Sequence, residues 1–244
     1  MEFVPEHAPL AVTAFLGTVL LLGTLVFITG VAFFARRKWI GIVGVVLVFL
    51  VIGGYGLILT GVSLTSHEKT LAPGENKYFC EIDCHIAYSV VNFEETKAIG
   101  NEGQQVVATG RFVIVRLRTW FDPSTISPHR GDGPLTPSPR RTLLIGNAGQ
   151  QFLHAAEAEA FFGKLRGGST PLTQALRPGE SYVTDLVFDV PKEISLYGRN
   201  IRLFVGDAFA MPDRLLIGHE ESFLHPKIFL ALAPSGKLLA GRFP

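Results

Sequence analysis

Two long apolar runs, separated only by a basic triplet, constrain this chain more than any other feature of it. The first extends from Ala8 to Ala35 and the second from Trp39 to Ser66, and neither contains an Asp, Glu, Lys or Arg. Each is about 28 residues long, against the ~20 that carry a helix across the hydrocarbon of a bilayer. Arg36, Arg37 and Lys38 fill the short turn between them. The pattern predicts a transmembrane helical hairpin over residues 1–66. Basic loops stay on the cytoplasmic side. The turn is therefore expected inside, with both termini and everything after Ser66 outside, as in a multi-pass protein of a bacterial inner membrane with a periplasmic domain. Trp39 falls where an indole suits the lipid–water boundary. A cleaved signal peptide would need a basic start and an apolar core of ~7–15 residues. Here the start, Met1 to His7, is acidic and the core is about twice that length.

Glycines recur in both runs: Gly17, Gly23 and Gly30 in the first, and Gly41, Gly44, Gly53, Gly54, Gly56 and Gly61 in the second. Small residues let helices approach closely in lipid. They serve either the packing of the two helices on each other or a surface for another membrane subunit. No charge lies in the middle of either run, which argues against an ion path through the hairpin.

Beyond the hairpin, residues 67–76 read as a linker with Pro73-Gly74, and residues 77–244 as one extracytoplasmic domain large enough for a core of its own. The net charge of +1, with no run of basic residues and no aromatic-interleaved basic patch, excludes nucleic acid as a partner. Side chains alternate with a period of two over residues 77–93, placing Tyr78, Cys80, Ile82, Cys84, Ile86, Tyr88 and Val90 on one face of a half-buried strand. Residues 106–120 alternate in the same way. Pro, Gly and Ser make residues 122–141 a long loop. Further strands are expected at 142–145, 181–190, 200–205 and 227–232, with a turn at Pro178-Gly179-Glu180. One helical stretch, 155–165, interrupts them. Many short strands with turns between them predict an all-β soluble domain, a two-sheet antiparallel β-sandwich with one short inserted helix.

Leu176-Arg177-Pro178-Gly179-Glu180, followed by Leu186-Val187-Phe188-Asp189-Val190-Pro191, resembles a pattern of bacterial immunoglobulin-like extracellular domains. These belong to a family of unknown function found in lipoproteins and membrane-anchored proteins, in which a Pro-Gly-Glu turn precedes a strand closing in Phe-Asp-Val-Pro. Thr142-Leu143-Leu144-Ile145 before Gly149 is similar to their central strand, with Asn147 near the place of an acidic residue. The resemblance spans residues 76–232. It implies an immunoglobulin-like fold and no shared catalytic residues, and fold alone does not give function. A second likeness is architectural. A two-helix hairpin followed by an exported β domain with Cys-x-x-x-Cys resembles cytochrome oxidase subunit II, whose dinuclear copper site uses two cysteines, histidines and a methionine. Cys80, Cys84 and His85 match part of that set. Here, however, His85 directly follows the second cysteine, the next methionine is Met211, and the cysteines open the domain.

Cys80-Glu81-Ile82-Asp83-Cys84-His85 is the densest cluster of ligand-type residues, and it holds both cysteines of the chain. Three readings stand. On a regular strand the two cysteines share the buried face as small hydrophobes, with Cα atoms roughly 13 Å apart, beyond the ~4.4–6.8 Å of a disulfide. An oxidising compartment favours a disulfide, which needs a helical turn or a bulge at this spacing. A looped segment would let two thiolates and the His85 imidazole take copper or zinc, the candidate cofactors, with His219 or His225 as a further ligand. Arg130, Arg140 and Arg141 in the 122–141 loop are the candidate partner-binding residues, because a stiff basic loop loses little entropy on docking. Arg130-Gly131-Asp132 reads as a plain turn beside Pro128 and Pro134. Ser181, His154 and Asp185 lack a nucleophile-elbow pattern. The expectation is a non-catalytic binding or accessory module held at the bilayer, with a membrane-protein partner. The alternative is a periplasmic copper-binding or redox protein using Cys80, Cys84 and His85.

Overall fold

A computed structural model describes residues 8–79, 85–101, 103–126, 129–194, 201–208 and 213–232. Two helices come first, α1 (Ala8–Phe34) and α2 (Lys38–Thr65). After them come β1 (Lys69–Leu71), β2 (Lys77–Phe79), β3 (Ile86–Asn101), β4 (Gln104–Phe121), β5 (Arg140–Ile145) and β6 (Gln151–Phe152). The chain continues with α3 (Ala156–Leu165), β7 (Ser181–Val190), β8 (Arg202–Asp207) and β9 (Ile228–Ala231). It divides into two compact units. One comprises Met1–Glu68 with Ala210–Lys227, the other Lys69–Phe209 with Ile228–Pro244.

In the first unit, α1 and α2 are each long and apolar enough to cross a membrane. Leu20, Phe27, Phe34, Phe49 and Leu57 stand exposed along them. Thr18, Thr29 and Thr60 satisfy their hydroxyls within the helices, donating to the carbonyls of Ala14, Leu25 and Gly56 at 2.7, 2.6 and 2.7 Å, so these three need no water. The turn is a Schellman motif. Arg36 N–H donates to Phe33 O at 3.0 Å and Arg37 N–H to Ala32 O at 2.8 Å. Arg36 takes the left-handed position, with φ +56°, where glycine is the usual occupant. At the helix seam, a side chain on Gly41 would overlap the Phe33 ring, and one on Gly44 would overlap Thr29. The other seven glycines of the two helices meet nothing within 4 Å. The hairpin thus uses two of the glycines for its own packing. In the same unit, the Tyr55 hydroxyl donates to Leu215 O at 2.6 Å, tying a turn at Asp213–Leu215 to α2.

The second unit is a β-sandwich. One sheet has the order β1-β9-β8-β5-β6 and the other β2-β3-β4-β7. Their inner faces share one core: Tyr88, Val115, Leu117, Phe121, Leu186 and Phe188 from the second sheet meet Leu71, Leu144, Leu203, Val205 and Leu230 from the first. The inserted helix forms as expected. α3 lays Ala158 on the outer face of β3, β4 and β7, against Ile99, Phe112, Ile114 and Val187. This explains why β4 is apolar on both faces through its middle: Val113 and Val115 serve the sandwich core, Phe112 and Ile114 the helix.

Two expectations are corrected. The sheets are not wholly antiparallel, because β1 pairs parallel with β9, Lys69 opposite Ile228. Residues 77–93 are also not one strand. The chain reverses after β2, which pairs antiparallel with β3, Phe79 opposite Ile86. Alternation runs through both arms of this hairpin, so period alone reads them as continuous. Cys80 and Cys84 lie outside the described residues.

The 122–141 segment is partly ordered by its own contacts. Asp122 accepts from Ser124 N–H at 2.8 Å and caps a short turn at Pro123–Thr125. Leu135 bridges to Leu176 in both directions, at 2.9 and 3.0 Å. The turn at 178–180 is as expected, with Gly179 at φ +83° and Glu180 N–H donating to Arg177 O at 3.0 Å.

Candidate functional site

A cavity of about 460 Å³ opens between the sheets of the sandwich, lined among others by Thr142, His154, Glu159, Thr170, Thr184 and Leu186. Strand parity puts the hydroxyls there. Leu144 faces the core from β5 and Leu186 from β7, so Thr142 and Thr184, two residues earlier on each strand, face inward as well. Thr184 donates its hydroxyl to Thr170 O at 2.8 Å, which fixes the loop after α3 as a wall of the cavity.

His154 sits between β6 and α3. It bridges to Phe188, and its ring lies 5.0 Å from that of Phe188. Glu159, in the first turn of α3 where the helix dipole favours a carboxylate, is 2.7 Å from His154 Nδ1 through Oε2. The same oxygen accepts from Val187 N–H at 3.1 Å. A carboxylate can only accept, so Nδ1 carries the proton. Nε2 is in direct contact with the Thr142 hydroxyl, which donates to it in that tautomer. The result is a hydroxyl–imidazole–carboxylate relay along the cavity wall. Such relays activate nucleophiles when the hydroxyl stands on an exposed, sharply turned residue. Thr142 instead lies within a regular strand, paired with Val205 of β8, and is buried. Both imidazole nitrogens are committed, so the relay stiffens the wall and holds α3, β5 and β7 together.

Ser181 and Asp185, which lack a nucleophile-elbow pattern in the sequence, have other partners than His154. Ser181 opens β7 opposite Trp120. Asp185 lies 3.4 Å from Arg116 and 3.8 Å from Arg166. The signal for the true partners was a histidine just ahead of a short helix with acids in its first turn. Thr142 carried no signal.

A second polar cluster surrounds His85. This residue is fully buried, stacks on Phe121 with ring centroids 5.7 Å apart, and contacts the Thr125 hydroxyl through Nδ1. Asp122 N–H donates to His85 O at 2.9 Å. Tyr78 donates to Asp122 Oδ2 at 2.7 Å. Burial, and then the hydrogen bond and charge of Asp122, push the Tyr78 phenol up to about 12. Burial alone would raise the Asp122 carboxyl. Hydrogen bonds from Ser124 and Tyr78 and the neighbouring His85 outweigh it and hold Asp122 below its ordinary value. His85 is thus brought to Tyr78 and Asp122, while the two cysteines proposed with it lie outside the described residues.

The three candidate arginines do not form one surface. Arg130 stays in the loop, 4.8 Å above the Phe121 ring, donating to Gly133 O at 2.9 Å. Arg140 and Arg141 belong to β5. Arg141 lies over Phe204 at 5.5 Å. The Arg140 side chain is 2% exposed, ion-paired with Asp207, and stacked 4.1 Å from the Phe79 ring. Arg140 is therefore corrected from a loop cation to a buried one. Inward parity at the start of β5 decides this.

No protein-family model matches the chain, and no curated protein matches it. Among solved structures it is similar to a conserved hypothetical protein from Bacillus anthracis, at 16% identity and a TM-score of 0.39, covering 54% of this chain and 86% of that one. It is also similar to an uncharacterized beta-sandwich protein from Clostridium difficile, at 12% identity and a TM-score of 0.38, covering 69% of this chain and 96% of that one.

Proposed function

We propose that this protein is a non-catalytic binding or accessory module, anchored in a bacterial inner membrane by α1 and α2, with its β-sandwich on the periplasmic side. The observation that carries this reading is the turn between the helices. Arg36 holds a left-handed backbone position that costs a non-glycine residue about 1 kcal/mol. A cation kept there at that cost, flanked by Arg37 and Lys38, fits a turn whose charge fixes orientation. The finer fold reading is immunoglobulin-like. In support, β4 pairs with β7 in one sheet, and β5, β8 and β9 are neighbours in the other, as the B–E and C–F–G strands are in that fold.

The binding surface in this reading is the cavity beside His154. It combines hydroxyls, a carboxylate and leucine side chains, the mix expected where a few polar groups orient a ligand. Two measurements test the reading. A reporter that works only outside the cytoplasm, fused after Pro244, is active; activity of a cytoplasm-only reporter at that point refutes the orientation. Native mass spectrometry in mild detergent finds a co-purifying ligand or partner whose occupancy falls with Ser169→Trp at the cavity rim. Unchanged occupancy refutes the cavity as the site.

A further inference from the structure

Residues 213–227, in the unit that holds α1 and α2, bury polar side chains beside Leu216 and Ile217 and leave large apolar ones exposed. His219, Glu220, Ser222 and His225 are all buried, and Lys227 Nζ closes over them, 2.8 Å from both Glu220 O and Glu221 Oε2. The exposed residues of the segment are Arg214, Leu215, Phe223 and Leu224, with Leu215, Phe223 and Leu224 at 41%, 62% and 58%. They form one patch, because Phe223 N–H donates to Arg214 O at 3.3 Å. Leu224 holds φ +62°, a strained conformation for a leucine. A loop facing only water would not bury two histidines and a glutamate while leaving Leu215, Phe223 and Leu224 out.

We infer that this patch is a membrane-interface wedge: Leu215, Phe223 and Leu224 enter the acyl-chain boundary of the outer leaflet, and Arg214 meets the lipid phosphates. The inference rests on the proposal that α1 and α2 span the bilayer. The depth follows from α2. About 30 Å of hydrocarbon, counted from Trp39 at ~1.5 Å per residue, ends near Leu59. Tyr55 lies about 6 Å inside that edge by the same rise, within the ~5–10 Å reached by interfacial segments. A backbone carbonyl at that depth must be paired. The carbonyl there is Leu215 O, and the Tyr55 hydroxyl pairs it at 2.6 Å. Tyrosine is favoured at this level of a membrane.

The test uses the full chain carrying Phe223→Trp, with Leu215→Trp as the second variant, in phosphatidylcholine/phosphatidylglycerol vesicles with bromine on the acyl chains. Wild type, with Trp39 and Trp120, gives the baseline. The expected result is added indole emission that is shifted to the blue, quenched by the brominated lipid and insensitive to iodide. Added emission that iodide quenches and bromolipid does not overturns the wedge. Emission shielded from both quenchers also overturns it, and assigns the patch to a protein surface instead. A wash at high pH separates the two levels of the argument. Protein that stays with the vesicles while its added indole is aqueous refutes the wedge alone; protein released by the wash refutes the anchor, and the wedge with it.

Discussion

Replacing Arg140 should unfold the sandwich far more readily than replacing an arginine on its outer face. The Arg140 side chain is 2% exposed and its partner Asp207 13% exposed. Its guanidinium also lies 4.1 Å from the Phe79 ring and 5.6 Å from that of Tyr88. Arg140→Met keeps the stem against those rings but takes the Arg140 charge from Asp207. Breaking a buried pair from one side costs about 3–5 kcal/mol, whereas replacing both partners by apolar residues is often close to neutral. At ~2–4 °C per kcal/mol for a domain of this size, the single variant loses about 6–20 °C in Tm. Arg140→Met with Asp207→Leu recovers most of that. Arg116→Met, which removes partly exposed pairs with Glu94 and Asp185, costs about 0–1 kcal/mol for each pair. The assay is thermal and denaturant unfolding of the full chain in detergent, followed by tryptophan fluorescence. Equal, small losses for Arg140→Met and Arg116→Met would refute the reasoning and return Arg140 to the surface as a partner-binding residue.

Gly44→Leu disrupts helix–helix packing by about 1–3 kcal/mol, because its side chain meets Thr29, while Gly53→Leu, with open space around it, leaves the hairpin's unfolding in detergent unchanged; equal effects would refute the seam. Tyr78 ionises near pH 12, and ultraviolet titration of Asp122→Asn shows that phenol returning toward its ordinary value. Burial, the leading cause, holds His225 below its ordinary value, with Lys227 adding to it and Glu220 opposing it. Its unfolded form therefore binds the extra proton first, and stability falls as pH drops below about 6.5. His225→Leu flattens that slope, and an unchanged slope removes His225 as its source. Metal analysis of the purified chain separates the accessory reading from the copper or redox one: the first predicts no stoichiometric copper or zinc, the second predicts metal that Cys80→Ser with Cys84→Ser removes.

What the sequence disclosed was what local pattern can carry. Charge-free length announced α1 and α2, period two announced β4, and Pro178-Gly179-Glu180 announced its turn. The β2–β3 reversal was hidden because the sequence alternates straight through it; the reversal shifts the phase, so Phe79 and Ile86, which one continuous strand would put on opposite faces, both turn to the core. Pairing of β1 with β9 was hidden because it joins the two ends of the β domain. Arg140 read as a loop cation because prolines precede it, yet strand parity from Leu144 places it inside. The candidate site needed tertiary knowledge throughout: Thr142, His154 and Glu159 come from three elements that meet only after α3 docks.

The parallel pairing of Lys69 with Ile228 sets the order of events during biogenesis. β1 leaves the ribosome directly after the hairpin, but its strand partner follows only at Ile228–Ala231. Closing the first sheet therefore waits until that stretch is made, and contacts of such long sequence separation form slowly. β1 is held open as an unpaired edge until β9 arrives. That interval is when an exposed strand most invites aggregation, and when a holding chaperone has the most to protect.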